Sequence, residues 1–238
     1  MKRRLVVMAL VAAVVVVSTP LAPVRAGGNV APPGSRSHGL SYAERAAAWW
    51  RWAIALPASG HPLVSEGDVD CSVGQSGHVW YLAGAFVPAP PARATERTCD
   101  IPSGTALFLP LVNVDCSTLE ADPFFGANEA ELRACVRRFG FTDLHASVDG
   151  AEIANLNRYL VESPLFSVVP PVGGNILNVP GGTDGDFVAR GVHVLLRPLP
   201  VGTHTVAFGG TITLGEDAFL LDVTYHLTVV PRGRFLTG

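Results

Sequence analysis

Three long segments with the two-residue period of β-strands lie in the C-terminal part of the chain. They begin at Gly191, Gly202 and Phe219 and read GVHVLLRPL, GTHTVAFGGTITL and FLLDVTYHLTVV, with proline and glycine between them. Successive side chains of a strand point to opposite faces. The alternation is clearest in the last segment, where every second residue is apolar: Val223, Tyr225, Leu227 and Val229. This pattern predicts a sheet with one buried face.

Earlier segments add further strands. HVWYLAGAFV, from His78, and TALFLPLVNV, from Thr105, are rich in aromatic and β-branched residues. Within LHASVDGAEI, the dipeptide Asp149-Gly150 is typical of a two-residue hairpin turn. Many strands separated by turn residues favour two stacked sheets. We therefore predict a mainly β chain, an antiparallel β-sandwich of Ig-like or jelly-roll-like kind, with an N-terminal tryptophan-rich helix and one inserted helix.

Capping residues mark both helices. Ser41 and Glu44 form a capping box at the start of the first helix, and Pro57 ends it. The second helix is predicted to follow Asn128 as N-cap and to end at Gly140. The sequence thus places one helix before the strands and one between them.

The first helix carries three of the four tryptophans of the chain. At 100° per residue, an apolar stripe forms along one side. It consists of Tyr42, Ala46, Trp49, Trp50 and Ala53. Because each aromatic side chain buries 150–250 Å² when packed, we expect at least two tryptophans to pack on the sandwich. Arg45 falls outside the stripe, and Trp52 is predicted to lie at the rim.

A ligand site beside this helix would use the tryptophans that remain accessible. Trp52 and Trp49 are the candidate ligand-binding residues on this interpretation. Exposed tryptophan rings stack on sugars, so the ligand they predict is a carbohydrate.

The N-terminus predicts export. Residues 1–26 have the basic start, the short apolar run and the small-residue cleavage site of a secretory signal peptide. Residues 27–40 are rich in glycine, proline and serine and predict a flexible mature N-terminus. Residues 41–238 are expected to form a single disulfide-stapled domain. We therefore predict a secreted or cell-envelope protein with no transmembrane segment after cleavage.

Charge excludes several functional classes. Cleavage removes Lys2, which is the only lysine, and three arginines, so 13 arginines remain against 20 aspartates and glutamates. Such an acidic chain lacks the basic surface that binds nucleic acid. Without a lysine, Schiff-base catalysis and a phosphate-binding P-loop are also excluded.

The four cysteines form an even set, which predicts disulfides in an exported protein. Three pairings are open for Cys71, Cys99, Cys116 and Cys135. Sequence order favours Cys71–Cys99 and Cys116–Cys135, because each bridge then joins neighbours along the chain. A zinc site is the alternative, although no CxxC pair supplies two ligands from one turn.

Two further patterns concern metals and a third concerns catalysis. Asp184 and Asp186, in the loop GGTDGD, are candidate calcium ligands without EF-hand spacing. His193 and His226 are candidate ligands if their strands lie adjacent and in register. No other cofactor is predicted. Glu44, Asp115 and Asp222 offer carboxyls for glycoside hydrolysis, but nothing in the sequence pairs them.

Two resemblances follow from these segments. LPVGTHTVAF and DVTYHLTVV resemble the last two strands of bacterial Ig-like and PKD-like extracellular modules. YAERAAAWWRWAIALP, CSVGQSGHVWYLAG and CDIPSGTALFLPLVN together are similar to a set of exported bacterial proteins of unassigned function, with a WWxW helix. The second resemblance spans most of the mature chain and implies that these segments belong to one domain.

The sequence carries no motif of a nucleophilic enzyme, such as the G-x-S-x-G elbow. We therefore predict a non-catalytic binding module, secreted or envelope-associated, whose partner is a glycan or an envelope component. The alternatives are a secreted hydrolase acting on polysaccharide and a structural envelope protein.

Overall fold

The computed structural model describes residues 29–86 and 95–235 and is mainly β, with two sheets. The first sheet has six strands in the order β1 (Gly67–Asp68), β3 (Thr95–Pro102), β11 (Asp217–Val230), β10 (Gly202–Leu214), β5 (Gly140–Val148) and β6 (Ala151–Glu152). The second has β2 (Val79–Tyr81), β4 (Ala106–Ser117), β9 (Gly185–Leu196) and β7 (Leu160–Glu162), with β8 (Phe166–Val168) also paired to β9. The helical elements are α1 (Tyr42–Ala55), α2 (Glu129–Val136), α3 (Arg232–Phe235) and two 3₁₀ turns (Pro62–Val64 and Leu156–Tyr159).

This arrangement fits a β-sandwich, but the sheets are not purely antiparallel. The pairs β1–β3, β3–β11 and β2–β4 are parallel. Strands β3 and β4 follow each other in the chain yet lie in different sheets, so they cannot form a hairpin with each other. Strand β11 instead pairs with β3 and runs in the same direction. The predicted hairpin at Asp149-Gly150 does connect β5 and β6, with positive φ at both turn residues.

One apolar core joins the two sheets. Phe208 and Tyr225 of the first sheet stack with ring centroids 6.2 Å apart and share this core with Leu107 and Leu109 of β4. Both α1 and α2 contact the second sheet, and β4 and β9 are buried along nearly their whole length. Strands buried on both faces carry continuous apolar runs rather than alternation, which explains the sequence of β4.

Helix α1 begins at the predicted capping box. Ser41 is the N-cap, its Oγ accepts a hydrogen bond from the Glu44 N–H, and the Glu44 carboxylate accepts one from the Ser41 N–H. The face of α1 that helical periodicity predicts to be polar is also partly covered by other residues. Arg45 is buried, and its guanidinium donates a hydrogen bond to the carbonyl of Ser37. Helix α2 begins after Asn128, as expected, but it ends at Val136 and not at Gly140, where β5 begins.

Trp52 does not lie at the rim. All three tryptophans of α1 are buried, and the most exposed, Trp52, has only 8% of its surface accessible. The loop that contains Val73 and Gly74 covers its ring, and Trp52 Nε1 donates a hydrogen bond to the Val73 carbonyl at 3.0 Å. The prediction failed because helical periodicity does not show what a distant loop covers.

The two predicted disulfides are confirmed. Cys71 pairs with Cys99, with Cα atoms 5.9 Å apart, and fixes the loop over Trp52 to β3. Cys116 pairs with Cys135, with Cα atoms 6.2 Å apart, and fixes α2 to β4. Each bridge therefore holds a peripheral segment against a central strand.

The segment predicted to be a signal peptide lies outside the described residues. Part of the segment expected to be flexible is held against the second sheet: the Ala31 N–H donates to the Leu195 carbonyl, and the Arg197 N–H donates to the Asn29 carbonyl. Val30 is buried there. Across the part of the chain that the structure describes, no helix has the length and apolar character needed to cross a membrane.

Candidate functional site

A cavity of about 420 Å³ lies where α1, β4 and the turn between β10 and β11 approach one another. Most of its lining is apolar, and besides the tryptophans it includes Phe86, Phe124, Phe139, Ile212, Leu214 and Phe219. Ligand sites of proteins are commonly cavities of this size in which a few polar groups are set into an apolar wall. This cavity is therefore the candidate functional site.

The indole of Trp50 lines this cavity without a hydrogen-bond partner. The N–H groups of its two neighbours are occupied: Trp49 donates to the Leu82 carbonyl at 2.9 Å, and Trp52 donates to Val73. Trp50 is 3% exposed, and among the described residues its Nε1 atom meets no acceptor. A buried unpaired donor costs free energy, and a ligand with an acceptor atom in the cavity would remove that cost.

Two carboxyl groups meet in the same wall. Asp115 belongs to β4 and Glu120 to the turn after it, and the two carboxyls lie close enough to influence each other's ionisation. Ser117 fixes that turn, because its Oγ donates to Glu120 Oε2 at 2.8 Å and accepts from the Glu120 N–H at 3.0 Å. One oxygen, Asp115 Oδ2, has no partner in the described chain, and neither has the amide nitrogen of Asn113 beside it.

Burial raises the pKa values of both carboxyls, and for Asp115 the neighbouring carboxyl raises the pKa further. Burial first, and the neighbouring carboxyl second, raise the pKa of Asp115 well above its ordinary value. Burial likewise raises the pKa of Glu120 to about 7, although its hydrogen bond from Ser117 acts in the opposite direction. Two carboxyls in contact do not both ionise readily, so near neutral pH the pair shares one proton. Perturbed carboxyls of this kind cluster at functional sites.

A buried arginine fixes one wall of the cavity. Arg97, on β3, is 1% exposed and donates hydrogen bonds to the carbonyls of Ser65 (2.8 Å), Ala83 (2.9 Å) and Gly84 (2.9 Å). It also donates to the hydroxyl of Tyr225 at 3.0 Å. These contacts hold the chain after β2 beside the cavity, where residues 84–86 form part of the lining.

The predicted metal ligands are not brought together. His193 lies in β9 of the second sheet, and His226 lies in β11 of the first, where it is exposed and contacts Glu96 at 3.3 Å. Asp184 is exposed, and Asp186 accepts a hydrogen bond from Ser167 Oγ at 2.7 Å. Within residues 29–86 and 95–235, no three His, Cys, Asp or Glu side chains form a group that could hold a metal ion.

His193 is instead part of the core. Its ring stacks on Phe108 with centroids 5.1 Å apart, and its Nδ1 lies 3.2 Å from the Gly191 carbonyl. Burial lowers the pKa of His193 to about 4, so the imidazole is neutral at physiological pH. A neutral, stacked imidazole serves packing here.

Of the two candidate ligand-binding tryptophans, Trp49 lines the cavity and Trp52 does not. Sequence reasoning overlooked Trp50, Asn113 and Glu120 as site residues. One signal was present: Asn113 and Asp115 are polar residues two positions apart within an apolar strand, so they share a face. Polar groups at such positions either find partners or mark a site.

The Asp115–Glu120 pair predicts an unusual pH dependence of stability. The folded state holds a proton on Glu120 up to pH about 7, whereas the unfolded chain loses it near pH 4.5. The free energy of unfolding therefore falls as the pH rises between these values, by about 1–3 kcal/mol because Glu120 is only partly buried. Urea denaturation across this range measures the fall. Glu120→Gln should make the slope smaller, because only Asp115 of the pair then contributes, and an unchanged slope in that variant would show that another group is responsible.

Comparison with known proteins does not identify this site. No family model and no curated protein matches the chain. The crystal structure of a cysteine protease inhibitor from Entamoeba histolytica aligns at 11% identity over 56% of this chain and 86% of its own, with a TM-score of 0.20. The solution structure of amebosin aligns at 10% identity over 56% of this chain and 89% of its own, with a TM-score of 0.17. Similarities this low support no statement about function, which must be inferred from the cavity itself.

Proposed function

We propose that this chain is an exported binding protein whose ligand is a small molecule with a mainly apolar body and a polar end. The cavity carries this proposal, because it combines an apolar wall with two buried polar atoms that lack partners, Trp50 Nε1 and Asp115 Oδ2. An apolar ligand body gains free energy by leaving water, and its polar end supplies a partner to at least one of the two atoms. The two disulfides suit the export that residues 1–26 predict.

A carbohydrate ligand, which the tryptophans suggested, finds less support. Sugar stacking needs an exposed ring, and the three tryptophans of α1 are all buried. The cavity wall is also mainly apolar, whereas a sugar presents a hydroxyl on nearly every carbon. We therefore favour an apolar body over a glycan. The Ig-like or jelly-roll-like assignment of the sandwich stays a prediction from the strand patterns.

The carboxyl pair favours a second candidate function, an enzyme that uses Asp115 and Glu120 for acid–base chemistry. Carboxyls that share a proton perform such chemistry in other hydrolases. Glycosidases hold their two carboxyls about 5 Å or more apart, whereas these two are close enough that each shifts the pKa of the other. The pair therefore suits a shared proton better than attack on a glycosidic bond. Turnover of a hydrolase substrate that Asp115→Asn abolishes would establish this second function.

Binding of a neutral fluorescent probe tests the proposal directly. N-phenyl-naphthylamine is apolar apart from one N–H, and its emission rises when it leaves water. The mature protein is expected to bind it at a single site. Ala218→Trp, which places a large side chain at a residue that lines the cavity, should weaken that binding by about tenfold or more, because the cavity loses volume.

Ala154→Trp provides the matched control, since Ala154 is exposed and does not line the cavity. This variant should bind the probe like the parent. Equal probe binding by the parent and Ala218→Trp contradicts the proposal, as does a parent protein that does not bind the probe.

A further inference from the structure

We propose that the cavity selects an organic ammonium ion, a protonated amine attached to an apolar body, with the amine held by Asp115 and Glu120. This inference rests on the proposed binding function and names the chemical class of its ligand. Three independent features of the cavity support it: its charge, its unpaired acceptor and its aromatic wall.

The charge of the lining is one-sided. Asp115, Glu120 and Asp217 all contribute to the wall, and in the described part of the chain no arginine, lysine or histidine does. Even with one proton shared between Asp115 and Glu120, the wall keeps a negative charge that no cation among the described lining residues offsets. A buried charge without a partner is costly, and a cationic ligand supplies that partner.

The geometry supplies an acceptor for the amine. Asp115 is 4% exposed, and its Oδ2 atom has no hydrogen-bond partner in the described residues. An ammonium group has up to three N–H donors, and hydrogen bonds between charged groups are about twice as strong as neutral ones. The unpaired Oδ2 atom is therefore the acceptor that we expect an N–H donor of the ligand to meet.

Aromatic rings line the same cavity as the carboxyls. Phe124 and Phe139 stack with ring centroids 5.5 Å apart, and Trp50 packs edge-on against Trp49 at 5.0 Å. All four rings line the cavity. The faces of aromatic rings attract cations, and aromatic walls around a carboxylate are a recurrent means of binding ammonium groups. The same rings also accommodate the apolar body.

Binding is non-covalent, and its proton balance is simple. Before binding, Asp115 and Glu120 hold one proton between them. When the ammonium ion enters, its positive charge replaces that proton, which leaves for solvent, and the ion is held by two ionised carboxyls. Asp217 is the other titratable group of the wall and is exposed. Binding should therefore release protons at neutral pH and weaken in acid, where both carboxyls are protonated.

Three naphthalene compounds with one apolar body and different polar ends test the inference. Naphthylmethylamine is cationic, naphthylmethanol is neutral and naphthoic acid is anionic at neutral pH. Isothermal titration of the mature protein should rank their affinities in that order. The amine should bind about tenfold more tightly than the alcohol, given the difference between charged and neutral hydrogen bonds. When the titrations are repeated in buffers that differ in ionisation enthalpy, the measured binding enthalpy should change with the buffer for the amine only. The reason is that only the amine releases protons on binding.

The double variant Asp115→Asn, Glu120→Gln keeps hydrogen-bonding amides and removes both charges. Its ratio of amine to alcohol affinity should fall to about one. A control, Glu152→Gln with Asp184→Asn, removes the same charges at exposed positions and should keep the ratio of the parent.

The outcomes separate this inference from the binding function. If the neutral probe binds but the amine has no advantage over the alcohol, or if the double variant keeps that advantage, the ammonium inference is wrong and the binding function stands. If neither the probe nor any naphthalene compound binds, both are wrong.

Discussion

Replacing Arg97 with methionine is expected to lower the free energy of unfolding by about 3–5 kcal/mol. The methionine keeps the apolar contacts but donates no hydrogen bond, so the carbonyls of Ser65, Ala83 and Gly84 lose their donors in a buried place. The cation above the ring of Tyr225, 5.3 Å from its centroid, is lost as well. Urea denaturation of the parent and the variant measures the difference.

Arg158→Met is the matched control, because Arg158 is exposed. Exposed substitutions of this kind change stability by about 0.5 kcal/mol or less. The two variants also test whether Arg97 supports the wall of the cavity. Arg97→Met should weaken binding of the neutral probe, since residues 84–86 line the cavity and depend on Arg97 for their position. If Arg97→Met unfolds like Arg158→Met, the buried hydrogen bonds do not hold the wall.

Trp52→Ala is the second substitution with a large expected effect, about 3–5 kcal/mol. Its indole is covered by the loop that the Cys71–Cys99 bridge fixes, and its ring lies 5.8 Å from that of Tyr81. The substitution therefore opens a buried space and leaves the Val73 carbonyl without its donor. Helical periodicity alone predicts a much smaller cost, because it places Trp52 at the rim.

Thermal unfolding of Trp52→Ala and Trp50→Ala distinguishes a buried Trp52 from a Trp52 displayed at the rim of the helix. Both variants should unfold well below the parent. Trp52→Phe should fall between the parent and Trp52→Ala, because it retains a ring and loses only the N–H and part of the volume. If Trp52→Ala instead unfolds at the temperature of the parent, the ring is displayed at the surface and sugar stacking again becomes the favoured function.

Trp50 and Trp52 differ in their hydrogen bonding and in whether they line the cavity, and only the three-dimensional structure shows these differences. Both belong to one helix, two residues apart, and helical periodicity alone places Trp50 in the buried stripe and Trp52 at its rim. Trp52 donates its N–H to a backbone carbonyl, whereas the N–H of Trp50 has no partner among the described residues, and Trp50 lines the same cavity as the carboxyl pair. Trp50 is therefore the tryptophan that the binding proposal uses.

The sequence alone determined the features that depend on neighbouring residues. The capping box at Ser41, the hairpin at Asp149-Gly150 and the strand alternation around Tyr225 all arise from contacts within a few positions, so local patterns predict them. The disulfide pairs followed from proximity along the chain. Each of these features is present in the structure.

Only the tertiary structure decided which residues form the site. Strand β4 is apolar on both faces, so its pattern could not show that Asp115 faces a cavity or that Glu120 returns to meet it. The parallel pairing of β3 with β11 and the cover over Trp52 likewise join segments far apart in the chain. The pKa of a carboxyl and the partners of an indole N–H depend on what surrounds them in space, and that environment is assembled by long-range packing.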